Sequence, residues 1–198
     1  MSIHNTFMML GASNHAKSER EKNDYYATEP KATELLLEKE VFKGPILEPC
    51  CGEGHISEVL KANGYESVTS SDLIDRGYGP QKDFFDYLSW EGDIITNPPY
   101  KYALQMVSHA LQIIPYGNKV AMFLRLQFLE GIERGEFFKR CPPKAVYVAS
   151  ARLVCAKNAE FYRYTSPACA YCWYVWEKGY NGEPVIRWIN TKDNEEES

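Results

Sequence analysis

Residues 93–100 have the types and spacing that chemistry on an amino group requires. They read Asp-Ile-Ile-Thr-Asn-Pro-Pro-Tyr, and the apolar pair Ile94 and Ile95 predicts the end of a buried strand. The two prolines stop that strand because neither can donate an N–H. The residue before each proline is held extended. We therefore expect Asn97 and the Pro98 carbonyl to be presented rigidly at the carboxyl end of a strand, where open α/β sheets bind ligands.

Two fixed acceptors at this point suit an exocyclic amino group on a base. Such a nitrogen is a poor nucleophile, because its lone pair is spread into the ring. If the Asn97 side-chain oxygen and the Pro98 carbonyl each accept one N–H, the lone pair is freed for attack. Tyr100 could stack on the flat base. The alternative is a turn that only ends a strand, since Asn-Pro and Pro-Pro are common turn dipeptides.

A glycine-containing loop precedes this stretch. Residues 44–55 read Gly-Pro-Ile-Leu-Glu-Pro-Cys-Cys-Gly-Glu-Gly-His, between a strand-like pair and a helix-like run over residues 56–62. Gly52 and Gly54 predict a tight turn whose backbone can approach a ligand. The loop lacks the third glycine of the dinucleotide fingerprint and the Lys-Ser/Thr of a phosphate loop. Both departures favour a ligand without a pyrophosphate.

Two acidic residues lie at spacings that suit a nucleoside ligand. Asp72 follows a short β-branched strand, 20 residues after Gly52, the spacing at which an acid binds ribose hydroxyls. Asp83 and Phe84 offer a carboxylate and a ring that could hold an adenine amino group and face. A turn or helix cap is the other reading of Asp72.

The segment before the first predicted helix is aromatic. Tyr25, Tyr26 and Thr28 precede Pro30, which can open a helix that continues through three leucines. These residues could contact a ligand. A hydrophobic staple with a cap is the alternative.

The order of the predicted elements indicates the fold. Strands alternate with helices from residue 46 to residue 126, which predicts an α/β fold with a doubly wound, mainly parallel sheet. The run 170–177 and the run 185–189 are late strands with no helix between them, which predicts an antiparallel C-terminal hairpin. We expect a flexible tail over 1–23, one domain over 24–190 and an acidic tail over 191–198.

Composition indicates the compartment in which we expect the protein. The 198 residues include no apolar run of the roughly 18 residues that a membrane span needs. The polar start does not resemble a secretory signal. The spacing of the six cysteines does not suggest a disulfide framework, so we expect a cytoplasmic protein. Cys169 and Cys172 would face opposite sides of a strand, so we predict no metal site there.

Charge is unevenly distributed along the chain. The net charge is −5, yet residues 115–190 carry 11 basic and 6 acidic residues, a local +5. The loop from Arg152 to Pro167 interleaves basic and aromatic residues. This composition suits a nucleic-acid strand, through phosphate contacts and stacking, although a solvated surface loop is the alternative.

Taken together, these motifs resemble those of S-adenosylmethionine-dependent methyltransferases that act on amino groups. The motifs are the Glu-Pro-x-x-Gly-x-Gly loop, Asp72, Asp83 and the Asn-Pro-Pro-Tyr tetrapeptide, in that order. The resemblance covers roughly residues 24–189. The motifs resemble most those of the short N6-adenine DNA methyltransferases that phages and prophages encode. In this chain the cofactor loop precedes the catalytic motif, which is similar to the gamma arrangement of that class. A phage origin would place the protein in the host cytoplasm.

The resemblance implies a Rossmann-like methyltransferase fold, S-adenosylmethionine as cofactor and a role for each motif. It assigns catalysis to Asn97, Pro98, Pro99 and Tyr100. It assigns cofactor binding to residues from the other motifs and to Asn97. These residues are Tyr25, Tyr26, Thr28, Glu48, Cys50, Gly52, Gly54, Asp72, Asp83 and Phe84. The chain departs from the larger enzymes in showing no separate target-recognition domain, which leaves the target sequence open.

Three other readings stay open. RNA adenine methyltransferases share the tetrapeptide, and nothing in the sequence separates RNA from DNA as substrate. Enzymes that methylate a glutamine of release factors share it too, but they resemble this chain less because they carry a helical domain ahead of the cofactor loop. A catalytically silent binding subunit is the third reading, although such a subunit is expected to have lost Gly52, Gly54, Asp72 or Asn97.

Overall fold

Seven strands form one sheet in which six run in the same direction. The computed structural model describes residues 26–157 and 169–189. The strands of this sheet are β2 (Ile46–Glu48), β3 (Val68–Ser70), β4 (Asp93–Thr96), β5 (Lys119–Arg125), β6 (Ala145–Ala149), β8 (Tyr171–Glu177) and β9 (Val185–Ile189). They are hydrogen-bonded in the order β3-β2-β4-β5-β8-β6-β9. Only β8 runs antiparallel to its neighbours, β5 and β6.

Helices cover both faces of the sheet. They are α1 (Pro30–Leu37), α2 (His55–Ala62), α3 (Ala103–Ile113) and α4 (Ile132–Arg140). Because successive strand residues point to opposite faces, β5 contributes to two cores. Met122 packs with residues of α3 and α4 on one face. Phe123 packs with residues of α1 and α2 on the other face.

The doubly wound, mainly parallel α/β fold is thus confirmed. The predicted strand-loop-helix unit at residues 46–62 is β2 and α2, and the predicted helix after the prolines is α3, preceded by a 3-10 turn at Tyr100–Tyr102. The predicted antiparallel hairpin of residues 170–177 and 185–189 is wrong. β8 is antiparallel but lies between β5 and β6, whereas β9 pairs in parallel with the far side of β6 and forms the edge of the sheet.

A buried carboxylate fixes the amino end of β4. The Asp93 side chain is fully buried and accepts hydrogen bonds from the Lys43 N–H, the Lys119 N–H and the Asn118 side-chain amide. These bonds join β4 to the segments that lead into β2 and β5. The other end of β4, which carries Asn97, is therefore held in a fixed position relative to its neighbours.

A separate two-stranded ribbon lies outside the main sheet. It consists of β1 (Tyr26–Thr28) and β7 (Cys155–Lys157), which pair antiparallel with Thr28 opposite Cys155. Beyond the ribbon, Glu29 continues the pairing, because its N–H donates to the Val154 carbonyl and its carboxylate accepts from the Val154 N–H. The start of the basic and aromatic loop is thereby joined to the aromatic segment before α1.

Within the described residues, no helix has the length and apolar character needed to cross a membrane.

Candidate active site

The site lies where the carboxyl ends of β2, β3 and β4 meet the β1–β7 ribbon. A small cleft at this place is bordered by residues of the ribbon, the glycine-containing loop, α2 and the end of β4. The bordering residues are Tyr26, Ala27, Thr28, Glu48, Cys50, Cys51, His55, Ile56 and Asn97. Three predicted motifs, separated by up to 71 residues in the chain, therefore meet in one cleft.

The side-chain amide of Asn97 has all its nearby partners at one end. Its Nδ2 lies 2.9 Å from the Tyr26 carbonyl oxygen, 3.0 Å from Thr28 Oγ1 and 3.3 Å from Cys155 Sγ. A carbonyl oxygen can only accept, so the atom that faces it must be the NH₂ group. This fixes the orientation of the amide, which is ordinarily ambiguous between oxygen and nitrogen.

The other end of the same amide is an unused acceptor. Asn97 Oδ1 is buried and has no hydrogen-bond partner among the described residues. A buried polar atom without a partner costs free energy and calls for an explanation. A ligand N–H that bonds Oδ1 would supply the missing partner.

The prolines and Tyr100 continue from Asn97 as the sequence predicts. Pro98 is buried and Pro99 is exposed at the start of the 3-10 turn. The Tyr100 hydroxyl lies 3.1 Å from the Cys155 thiol, and burial raises the pKa of Tyr100 well above its usual range. The Tyr100 ring therefore stays neutral and is held in place by the ribbon.

Gly54 has a conformation and a position that suit no larger residue. Its φ is +87°, in the left-handed region, and an added Cβ would lie 2.3 Å from the Tyr78 ring. The Gly52 N–H donates to Asp72 at 2.8 Å, so the acid after β3 holds the turn after β2. The second oxygen of Asp72 accepts from the Ile74 N–H. Asp72 is thus both a structural acceptor and a half-exposed carboxylate beside the loop.

Glu48 is a carboxyl group buried beneath that loop. It is 1% exposed and accepts a hydrogen bond from the Ser57 hydroxyl, which also lies 2.6 Å from the Ser70 hydroxyl. Burial raises the pKa of Glu48 to about 8, although the bond from Ser57 opposes the rise. Burial also raises the pKa of the neighbouring Cys50 and Cys51 thiols, that of Cys51 to about 12. These thiols are therefore poor nucleophiles near neutral pH.

Phe84 and Asp83 differ in exposure. Phe84 is 3% exposed and its ring packs edge-on against His109, with centroids 4.9 Å apart. A contact between the Phe84 ring and an adenine stays a prediction. Asp83 is partly exposed, with one oxygen bonded to the Phe85 N–H. Tyr25 lies outside the described residues, as do residues 158–167 of the predicted nucleic-acid loop.

Sequence reasoning missed three side chains next to Asn97 and Tyr100. Cys155 contacts both residues. The Tyr171 ring centroid lies 5.9 Å from that of Tyr100, and the Arg125 guanidinium carbon lies 4.8 Å from the centroid of the Tyr100 ring. Arg125 could have been noticed as a charge that ends an apolar strand. Cys155 carries no local signal, because its contact depends on a pairing across more than 120 residues.

In the described part of the chain, no group of three or more His, Cys, Asp or Glu side chains could hold a metal.

Comparison with solved structures identifies the fold. The chain is similar to a candidate class I S-adenosylmethionine-dependent methyltransferase from Listeria monocytogenes, at 11% identity and a TM-score of 0.52, covering 81% of this chain and 62% of that one. It is similar to the modification subunit of a candidate type I restriction enzyme from Vibrio vulnificus, at 10% identity and a TM-score of 0.56, covering 89% and 49%. It is also similar to the M protein of the type I restriction enzyme EcoKI, at 11% identity and a TM-score of 0.53, covering 87% and 50%.

The fold is that of class I methyltransferases. This chain spans about three fifths of the length of the first of these proteins and half of the other two. At such low identity the likeness establishes the fold alone. No protein-family model matches the chain, and no curated protein does.

The contact between Gly54 and Tyr78 predicts a specific loss of stability. Gly54→Ala should lower the free energy of unfolding through left-handed strain, about 1–2 kcal/mol, and through overpacking against Tyr78, about 1–3 kcal/mol more. Gly64→Ala is the matched control, because Gly64 has a φ of +86° and an added Cβ would meet no atom within 4 Å. Urea unfolding of both variants measures the difference. Equal losses would show that Tyr78 does not restrict this position.

Glu48 predicts how stability depends on pH. Its pKa is about 8 in the folded chain against an ordinary value of 4.5, so folding favours the protonated form. The resulting stabilisation is complete below pH 4.5, decreases as pH rises between the two values and is lost above pH 8. Urea unfolding between pH 5 and 9 should show this decrease, and Glu48→Gln should flatten it. Glu38→Gln, at an exposed position, is the control and should leave the curve unchanged. An unaltered slope in Glu48→Gln would contradict the assignment.

Proposed function

We propose that this chain is a methyltransferase that uses S-adenosylmethionine to methylate the exocyclic amino group, N6, of adenine in DNA. The observation that carries the proposal is the buried Oδ1 of Asn97 at the carboxyl end of β4, which has no hydrogen-bond partner in the part of the chain that the structure describes. Its NH₂ group is already bonded to the ribbon, so the amide can only accept from a ligand. An acceptor-only site suits an amino group, which brings N–H bonds to be accepted.

The residues around the cleft fit the proposed cofactor. Gly52 and Gly54 form a turn stabilised by Asp72, and this loop borders the same cleft as Asn97. Glu48 ends β2 just before that loop, Cys50 lies in the loop, and Tyr26 and Thr28 border the cleft from the ribbon. We assign cofactor binding to these residues, with Asp72 for the ribose and Asp83 for the adenine. When bound, S-adenosylmethionine supplies a methyl group on a positively charged sulfur.

The chain's own contribution is mainly positioning. Asn97 Oδ1 and the Pro98 carbonyl accept the two N–H bonds of the adenine amino group, which frees the nitrogen lone pair. Tyr100, held by Cys155, stacks on the base after the base has left the helix, at a cost of a few kcal/mol in a duplex. No side chain needs to remove a proton before transfer, because the amino proton becomes acidic only once the nitrogen carries the methyl group. The methyl group would leave a neutral thioether behind, and the methylated nitrogen would then release its extra proton to water. Fixing the reacting groups in place is the main source of rate.

Methyl transfer to DNA tests the proposal directly. The full chain is given labelled S-adenosylmethionine with unmethylated DNA or with RNA, and the nucleosides are identified by mass spectrometry. We expect N6-methyladenine in DNA. Asn97→Ala should lower turnover by about a hundredfold or more, as loss of a preorganised hydrogen-bonding group does elsewhere, while cofactor binding by calorimetry stays nearly unchanged.

Asn63→Ala is the matched control, because Asn63 is exposed at the far end of α2 and, among the described residues, its side-chain amide donates to the Val59 carbonyl alone. It should retain full turnover. If only RNA became labelled, the substrate would be RNA and the assignment of DNA would be wrong. Cofactor binding without label in either polymer would refute the proposal and leave a protein acceptor or a silent subunit.

The orientation of Asn97 gives a second test. Thr28→Val removes one acceptor of the Asn97 NH₂ group without changing side-chain volume much. We expect kcat to decrease by roughly fivefold to tenfold, which corresponds to about 1 kcal/mol for one hydrogen bond. Thr28→Ser keeps the hydroxyl and should retain most of the activity. If Thr28→Val raised only the Kd of the cofactor and left kcat unchanged, Thr28 would act on the cofactor and not on Asn97.

A further inference from the structure

Arg125 places a positive charge beside the proposed catalytic residues. It is the last residue of β5, the strand next to β4, so its backbone ends at the same edge of the sheet as Asn97. Its guanidinium carbon lies 4.8 Å from the Tyr100 ring centroid, a cation–π distance. Tyr171 lies beside the same guanidinium and contributes to raising the pKa of Arg125. Arg125 is therefore held against the ring that follows Asn97 and the prolines.

This charge has no anionic partner in the described part of the chain. None of the ion pairs formed by residues 26–157 and 169–189 includes Arg125, and its Nε is buried without a hydrogen-bond partner among them. Its neighbours there are the neutral phenols Tyr100 and Tyr171. Arginine is rarely buried unless it is paired. A half-buried guanidinium whose Nε–H bonds no described residue is therefore suited to bind an anion.

The strand order indicates which ligand brings that anion. Most residues assigned to the cofactor lie at or after the ends of β2 and β3, on one side of β4, while Tyr26 and Thr28 lie on the ribbon beside Asn97. Arg125 ends β5, on the other side of β4. Asn97 lies between the two groups, so an anion at Arg125 belongs to the molecule that approaches Asn97 from the side opposite the cofactor loop. That molecule is the methyl acceptor.

We infer that Arg125 binds a phosphate group of the acceptor, next to the nucleotide whose amino group Asn97 holds. A guanidinium offers a planar pair of donors that matches phosphate oxygens. The inference rests on the proposed function and deepens it, because it assigns the acceptor to the phosphate-bearing polymers. A glutamine side chain of a protein has the amino group that Asn97 requires but no phosphate for Arg125.

Direct binding of DNA tests this role without relying on turnover. A fluorescent 20-nucleotide DNA is titrated with the full chain, and its anisotropy is measured over a range of salt concentrations. Arg125→Gln should weaken binding by roughly tenfold, the effect of one charged hydrogen bond. The slope of log K against log salt should become shallower by about 0.7–0.9, the contribution of one phosphate contact. Calorimetry should give the same Kd for S-adenosylmethionine as in the unaltered chain.

Two further variants make the result interpretable. Arg125→Lys keeps the charge and tests whether the chain folds with altered packing at Tyr100. It should bind DNA with intermediate affinity and an unchanged salt slope. Arg140→Gln is the control, because Arg140 is exposed at the carboxyl end of α4, and it should have little effect.

The outcomes separate this inference from the proposed function. Unchanged DNA affinity and salt slope in Arg125→Gln would overturn the inference even if the chain methylates DNA. A weaker Kd for S-adenosylmethionine would overturn it too, because the anion would then be the cofactor carboxylate. Weaker DNA binding with the shallower slope would support a phosphate contact even if adenine N6 proved not to be the methylated atom.

Discussion

The hydrogen bonds of the Asn97 amide are the interaction on which the geometry of this site depends. They join β4 to both strands of the ribbon, through the Tyr26 carbonyl, the Thr28 hydroxyl and the Cys155 thiol. The same bonds use up the donors of the amide and leave its oxygen as a fixed acceptor. Without the ribbon, the amide could present either end to a ligand. The ribbon therefore determines that the Asn97 amide presents an acceptor, not a donor, to a ligand. The two prolines restrict the backbone that carries this amide.

Three carboxyl groups have a related role along β2, β3 and β4. Asp93 fixes the amino end of β4 through three hydrogen bonds, and Asp72 joins the end of β3 to the turn after β2 through the Gly52 N–H. Glu48, at the end of β2, is buried and its pKa is raised to about 8, so it is mostly uncharged well below pH 8 and repels Asp72 little there. Each acid accepts from backbone or hydroxyl donors that would otherwise lack a partner. The ends of these strands are thus held by polar contacts, while the faces of the sheet are held by apolar packing.

What could be predicted from the sequence was local. The strand that ends at Asn97, the turn at Gly52 and Gly54 and the helices after each of them follow from periodicity, proline and glycine, which act over a few residues. The ribbon could not be predicted, because Thr28 and Cys155 pair across more than 120 residues. Each of the two segments is also too short to show the alternating pattern of a strand. The position of β8 between β5 and β6 is likewise a long-range choice. The contact between Phe84 and His109 could not be predicted either, because an aromatic residue beside an acid looks the same in sequence whether its ring is exposed or, as here, packed on another side chain.

The order of the strands also suggests how a common fold could select a particular methyl-accepting substrate. The fold itself does not decide the acceptor, since the same layers of helices and sheet serve many chemistries. In this chain most residues assigned to the cofactor lie at or after the ends of β2 and β3, whereas Asn97 follows β4 and Arg125 ends β5. An acceptor-only amide selects for N–H bonds, and a guanidinium without a carboxylate partner among the described residues selects for an anion. A polymer that carries amino groups on bases and phosphates between them satisfies both demands at once. Neither a neutral amide nor a hydroxyl acceptor satisfies both, which is the physical reason to favour a nucleic acid as the substrate.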